Sequence, residues 1–217
     1  MNHKPYGLYE RCLKRPQDFL CALLAIAVLS PVMLVTALLV RIRLGSPVFF
    51  TQTRPGRYGK PFRLIKFRTM LPPKDGVYDP AQDASRLTPF GMKLRSTSLD
   101  ELPELFNVLK GDMSVVGPRP LLMRYLERYD SRQARRHEVR PGLTGLAQVK
   151  GRNAISWEER FEWDVRYVDH VTFRGDWRII LETVRTVLKR EGISAEGEAT
   201  MGEVMGSSSK TAGGGAA

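Results

Sequence analysis

An uncharged run from Phe19 to Val40, closed by Arg41 and Arg43, constrains this chain more than any other feature. About twenty apolar residues in a helix cover the ~30 Å hydrocarbon core of a bilayer, so length alone favours a membrane segment. Ser30-Pro31 stands at its middle. Proline offers no N–H to the carbonyl four residues back, here Ala27, and disrupts a helix interior by about 3 kcal/mol or more. Bundled membrane helices tolerate such prolines, but no second apolar stretch is present to bundle with. Lys14 and Arg15 precede the run and Arg41 and Arg43 follow it, so the positive-inside rule is best satisfied with both ends on the cytoplasmic side. A re-entrant helix-break-helix over residues 1–45 is therefore expected, with the Ser30 hydroxyl serving a carbonyl freed by Pro31. A kinked span and a buried core helix are the alternatives. The run exceeds a signal-peptide h-region and lacks a small-residue cleavage site, so it is read as retained.

The chain has 217 residues and a net charge of +11. Its length allows one domain, or a small domain plus a membrane segment. The charge asks for an anionic partner: nucleic acid, an anionic membrane surface or phosphorylated small molecules. Cys12 and Cys21 are the two cysteines, too few for a disulfide framework or a thiolate metal site, and a reducing compartment fits.

Beyond the anchor, "PVFFTQTRPGRYGKPFRLIKFRTM" reads as two strands joined by a turn rich in Pro and Gly. Alternation puts Phe62, Leu64, Lys66 and Arg68 on one face, so two cations extend an apolar row. Residues 71–84 read as an acidic loop able to act as a flap. Thr88-Pro89 predicts a helix N-terminus running to about Arg95. Helical spacing of Leu121, Leu122, Tyr125, Leu126 and Tyr129 predicts an amphipathic helix, facing the core or the lipid interface. Ser156 and Glu159 have capping-box spacing, and a basic amphipathic helix is expected after Asp176 as cap. Residues 204–217 have no packing pattern and are expected to be a disordered tail. The expected fold is α+β, with residues 46–203 forming a small, largely helical domain that carries a short β-hairpin.

The segment richest in chemistry is "RSTSLDELPELFNVLKGDMSVVGPRP". Pro103 tolerates only the first turn of a helix, which must then begin between Ser98 and Leu102 and place Asp100 and Glu101 at its N-terminus. There they are either ordinary first-turn acids or functional carboxylates. Arg95 lies upstream, and Arg119 sits between two prolines in "GPRP", a stiff setting for a guanidinium that binds oxyanions in a fork. "RPGLTGLAQVKGRN" is expected to form a loop and strand ending in Gly151, Arg152 and Asn153. Adjacent acids converge on one locus, unlike the two carboxylates ~5–9.5 Å apart that flank a glycosidic bond. An aspartate among cations is a competent nucleophile toward phosphorus.

"SPVM", "FTQTRPG", "FRLIKFRTM", "RSTSLDELPELFNVLKGDMSVVGPRPLL", "VRPGLTGLAQVKGRNAISW" and "FEWDVRYV", in this order, resemble the bacterial sugar transferases, specifically the small monotopic phosphoglycosyl transferases. The likeness runs from about residue 8 to about residue 203. It implies an enzyme of the bacterial inner (cytoplasmic) membrane, monotopic, with its catalytic domain on the cytoplasmic face. Such an enzyme moves a sugar-1-phosphate from a UDP-sugar to undecaprenyl phosphate, releasing UMP, with Mg²⁺ as cofactor. The anchor of these proteins is re-entrant and broken at a Ser-Pro pair, which maps to Ser30 and Pro31. Asp100 becomes the covalent nucleophile and Glu101 its partner, at the metal or as a proton acceptor. The resemblance makes Lys66, Arg95 and Arg119 phosphate-binding groups. It makes Gln148, Gly151, Arg152, Asn153 and Asp164 nucleotide-sugar or structural positions. Lys150 departs from the asparagine frequent before "GRN". The implied partners are the UDP-sugar, undecaprenyl phosphate and membrane phospholipids, with no nucleic acid. The rival readings are a membrane-tethered basic module that binds anionic lipid or nucleic acid without catalysis, and a hydrolase using the same acids.

Overall fold

The computed structural model describes residues 3–72, 83–151 and 155–189. Most of the expected flap at 71–84, Arg152, Asn153 and the 204–217 tail lie outside the described residues. Helix α1 spans Lys14–Leu44 and follows a π-helical turn at Tyr9–Leu13. It is a single helix with Pro31 inside it, where the sequence led us to expect two helices and a break. One reason is local: Ser30 Oγ donates to the Ala27 carbonyl at 3.0 Å, the very oxygen that Pro31 leaves without a donor.

One stripe of α1, through Ala22, Met33, Val40 and Leu44, is buried against the rest of the protein, while Leu20, Leu24, Val28, Leu34, Leu38 and Ile42 are exposed. Only 17% of its most apolar window is buried, which rules out the buried core helix. An exposed apolar face of this extent is a surface for lipid or a partner. Both ends of α1 are tied to the same body. Near its start, Asp18 accepts from Ser114 Oγ at 2.7 Å and Val115 N at 3.1 Å, and Arg15 donates to the carbonyls of Val108 and Leu109 at 2.6 and 2.8 Å. At its end, Arg68 donates to the carbonyls of Leu44 and Ser46.

Strands β1 (Phe49–Pro55) and β2 (Pro61–Phe67) form the expected antiparallel hairpin, with Phe50 opposite Lys66 and Thr53 opposite Arg63. The apolar row of β2 faces inward as alternation predicts: Phe62 and Leu64 pack with Ala22, Leu105, Val108 and Met113. After the four-residue α2 (Asp83–Arg86), helix α3 (Pro89–Ser96) starts where expected, the Thr88 hydroxyl accepting from Gly91 N at 3.0 Å. Helix α4 (Glu104–Lys110) follows a 3₁₀ turn at Leu99–Glu101. Asn107 on α4 brackets the edge of β2, accepting from Ile65 N at 3.1 Å and donating to Arg63 O at 2.7 Å. This amide behaves as one rung of a strand partner.

Strands β3 (Ser114–Val116) and β4 (Gly142–Thr144) pair in parallel. A Cβ on Gly142 would meet Gly117 N at 2.1 Å, and one on Gly145 would meet Gly117 O at 2.2 Å. The glycines of this stretch thus serve close backbone packing. The chain then enters α5 (Leu146–Gly151), not the extended strand expected there. The amphipathic helix expected after Leu121 is instead two 3₁₀ segments, Met123–Arg128 and Gln133–His137. The turn between them is fixed by Asp130, whose Oδ1 accepts from Gln133 N at 2.8 Å. Helix α6 (Trp157–Asp169) begins under the Ser156 cap as expected, with Glu159 N 3.1 Å from its hydroxyl. Helix α7 (Phe173–Lys189) starts before Asp176. The Thr172 hydroxyl receives Gly175 N at 3.1 Å, whereas Asp176 is fully buried and accepts from the hydroxyls of Tyr9 and Tyr167. Phe173, Trp177, Leu181 and Val184 of α7 are exposed along one stripe. Among the described residues the architecture is mixed and helix-rich, with two small sheets.

Candidate active site

Asp100 and Glu101 belong to the 3₁₀ turn that leads into α4, one turn earlier than a strictly α-helical N-terminus. Ser98 enters the turn in the left-handed region, with φ 56°. The turn presents the two neighbouring acids to different surroundings. Glu101 Oε1 lies 2.7 Å from Lys66 Nζ and 2.5 Å from Arg119 Nη2. Lys66 Nζ is also 2.9 Å from Glu104 Oε1. Lys66 thus pairs with two carboxylates at once. Among the described residues, no hydrogen bond or ion pair falls on the Asp100 carboxylate, which is 7% exposed.

The electrostatic consequence is a separation of the two acids. Burial pushes Asp100 up to about 6, helped by the charge of Glu101 and opposed by Lys66, Arg95 and Arg119. Burial also works to raise Glu101, but Arg119 and Lys66 outweigh it and hold the carboxyl well below the ordinary range. Glu104, 2% exposed, is raised by burial to about 7 against the pull of Lys66. Lys66 remains firmly protonated: burial favours its neutral form, and Glu101 and Glu104 reverse that.

Each cation comes from a different element. Lys66 rides on β2, whose position relative to α4 the Asn107 bracket fixes. Arg95 lies on α3 and its Nε donates to Thr69 Oγ1 at 3.1 Å. Arg119 follows β3 between Pro118 and Pro120. The structure therefore brings together Lys66, Arg95, Asp100, Glu101 and Arg119 from the sequence-derived set. Asp164 joins at one remove: it holds Arg136, which donates to the Arg119 carbonyl. Gln148 on α5 donates to Leu143 O at 3.3 Å, and Gly151 ends that helix. Among the described residues neither bonds to the acidic cluster. Sequence reasoning missed Glu104, Asn107 and Arg136. Glu104 follows Asp100 by four residues, a spacing that puts side chains on one helical face and could have exposed it. No comparable signal marks Asn107 or Arg136.

The assembly is a nearly balanced set of buried acids and bases with one carboxylate not clamped by a cation, suited to meeting a phosphorylated ligand. Residues 9–190 match the family model described as "Bacterial sugar transferase". The chain is 53% identical over 195 residues to "Uncharacterized sugar transferase EpsL" of Bacillus subtilis, covering 90% of this chain and 96% of that protein. It is 40% identical over 185 residues to the "UDP-glucose:undecaprenyl-phosphate glucose-1-phosphate transferase" of Caulobacter vibrioides, covering 81% of this chain and 69% of the relative. The "Undecaprenyl-phosphate galactose phosphotransferase" of Salmonella typhimurium is 40% identical over 200 residues, 84% of this chain but 42% of that protein. On the strength of a match that spans residues 9–190, with both flanks of the acidic turn inside it, the chain belongs to the bacterial sugar transferase family.

Proposed function

We propose that this protein transfers a sugar-1-phosphate from a UDP-sugar to undecaprenyl phosphate in two steps, through a phosphosugar carried on Asp100. The single observation behind the reading is the split of the acidic pair: Glu101 is clamped by Lys66 and Arg119, while Asp100, buried among the same cations, is not. In the first step an Asp100 carboxylate oxygen attacks the β-phosphorus of the donor, the bond to the bridging oxygen breaks, and UMP leaves with that oxygen. Lys66, Arg95 and Arg119 offset the charge spread over the transferring group. In the second step a phosphate oxygen of the lipid acceptor attacks the same phosphorus and the acyl-phosphate bond to Asp100 breaks. No net proton is taken up or released by the protein in either displacement.

Mg²⁺ is commonly held by one or two carboxylates completed by substrate phosphates, and Asp100 with Glu101 supplies that donor set. When bound it would neutralise phosphate charge on donor and leaving group. Among the described residues no group of three or more Asp, Glu, His or Cys is arranged to hold a metal without such help.

The anchor reading extends this proposal: α1 is seated in the cytoplasmic leaflet of the bacterial inner membrane, with both of its ends on the cytoplasmic side. What supports it is that both ends of α1 are hydrogen-bonded to one polar body, whereas a span must deliver its ends to opposite faces. The exposed stripe of α7, edged by Arg174, Arg178 and Arg185, suits the headgroup layer beside it. Such a mount holds the acidic turn where a soluble donor and a lipid acceptor can both arrive.

A panel of UDP-sugars, assayed for UMP release with the protein in lipid nanodiscs, undecaprenyl phosphate and Mg²⁺, tests the reading and identifies the sugar. UMP release and an acid-stable, hydroxylamine-labile phosphosugar adduct are expected, both lost in Asp100→Asn. Full turnover by that variant would overturn the mechanism.

A further inference from the structure

Arg119 lies in the run Gly117, Pro118, Arg119, Pro120. Each proline fixes its own φ and contributes no N–H, and the backbone bonds of this segment to β4, Gly117 N to Thr144 O at 2.9 Å and Gly142 N to Pro118 O at 3.0 Å, stop one residue short of Arg119. The Arg119 carbonyl is held by a side chain: Arg136 Nη2 donates to it at 2.7 Å. Arg136 is 2% exposed and its whole fork is engaged. Nε and Nη2 reach Asp164 Oδ2 at 3.0 and 2.8 Å, and Nη1 donates to the Tyr129 hydroxyl at 3.3 Å. The rings of Tyr129 and Phe161 flank the guanidinium, their centroids 5.7 and 5.6 Å away. Asp164 is buried on α6 and Arg136 belongs to the second 3₁₀ segment, so this one guanidinium joins α6 to the "GPRP" turn.

A buried ion pair is a poor device for stability alone, because well-packed apolar side chains of similar volume are often as stabilising or more so. An apolar pair cannot, however, donate to a carbonyl in a proline-flanked turn. We propose that Arg136 and Asp164 are positioning residues for the transfer reaction: they fix the backbone of Arg119 and thereby aim its guanidinium at Glu101 and the incoming phosphate. This rests on the proposed function, in which Arg119 binds phosphate.

The test is a double-mutant cycle read by UMP release, with thermal unfolding as the control. In the first arm Arg136→Met and Asp164→Leu are made together, exchanging the ion pair for apolar volume. Arg136→Lys is the second arm, which keeps the charge pair and loses the planar fork, and stands in if the first protein does not fold. Each is also combined with Arg119→Ala. Folded variants with native Arg119 should lose roughly 10- to 100-fold in UMP release, the scale expected when a catalytic group is misplaced by about 1 Å. In the Arg119→Ala background the same changes should add less than about threefold, because the group they aim is already gone. A merely structural pair would give losses that multiply in both backgrounds. Multiplying losses, or wild-type release from a folded Arg136 variant, would overturn this inference alone. A wild-type protein that releases no UMP from any UDP-sugar would overturn the proposed function and this inference with it.

Discussion

Replacing Asp100 by Asn should abolish transfer and at the same time make the protein more stable at neutral pH. The Asp100 carboxyl rises from 3.8 to about 6 in the folded protein, chiefly through burial. A raised carboxyl binds its proton more tightly folded than unfolded, so stability falls as pH climbs from about 4 to about 6 and stays reduced above that. At about 1.4 kcal/mol per pH unit, the ionised side chain destabilises the fold by about 3 kcal/mol at pH 7.5. Asn keeps the shape and cannot ionise. Thermal unfolding in nanodiscs should show Asp100→Asn above the wild type at pH 7.5 by several degrees, given about 2–4 °C per kcal/mol for a chain of this size. The gap should narrow as pH is lowered to 4, where the folded wild-type carboxyl is already protonated, and close below that as the unfolded one, at 3.8, is protonated too. A variant less stable than wild type at pH 7.5, or a gap that does not change with pH, would refute the account of Asp100 as a strained buried anion.

Single-turnover UMP release should decline as pH is lowered and Asp100 is protonated, below about pH 6 by as much as Mg²⁺ at that carboxylate favours its ionised form, and a rate that holds its pH 7.5 value down to pH 4 would count against Asp100 as nucleophile. Cysteines introduced at Lys4 and Gly45, in a background with Cys12 and Cys21 replaced by Ser, should react with a membrane-impermeant maleimide from the same side of inverted vesicles; opposite-side labelling would establish a span. Asn107→Ala removes the bracket on β2 and leaves the partly buried Ile65 N–H without its acceptor, so unfolding should require about 1–2 kcal/mol less than in wild type, measured by denaturant titration.

What could be read from the sequence was whatever local chemistry decides. The β1–β2 hairpin follows from alternation, the starts of α3 and α6 from Thr88 and Ser156 as caps, and the inward row of Phe62, Leu64 and Lys66 from strand period two. Asp100 and Glu101 were legible because Pro103 confines the helix start, with Arg95 upstream and Arg119 in a proline-flanked turn downstream, while the family resemblance added Lys66 to the phosphate-binding set. Periodicity misled after Leu121, where Asp130 favours a turn over a continuous helix. It could not settle the fate of Pro31, since one serine hydroxyl supplies the donor that the proline lacks. Asn107 and Arg136 act across more than twenty residues of chain, on Arg63 and Ile65 in one case and on Asp164 in the other. No local pattern encodes such a contact.

The division of labour between two adjacent acids follows from where cations stop. A carboxylate with one oxygen already accepting from two cations has that oxygen's lone pairs engaged and its basicity reduced, as for Glu101 Oε1, which leaves Oε2 for a metal ion. Its neighbour feels the same positive field without being clamped by it, and burial keeps its basicity high. Nucleophilic strength toward phosphorus tracks basicity, and a pair of titratable groups driven apart by environment marks which one reacts and which one supports. Chain geometry makes the split possible: the 3₁₀ turn projects Asp100 and Glu101 in different directions, and Arg119, held from behind by Arg136, meets only one of them. On this reasoning, exchanging the two side chains in an Asp100→Glu, Glu101→Asp double variant should not restore activity lost in either single variant. The longer acid would reach into the cation clamp and the shorter one would fall short of it. Rescue of UMP release by the double variant would show that the total charge of the turn, and not the separate environment of each acid, governs the reaction.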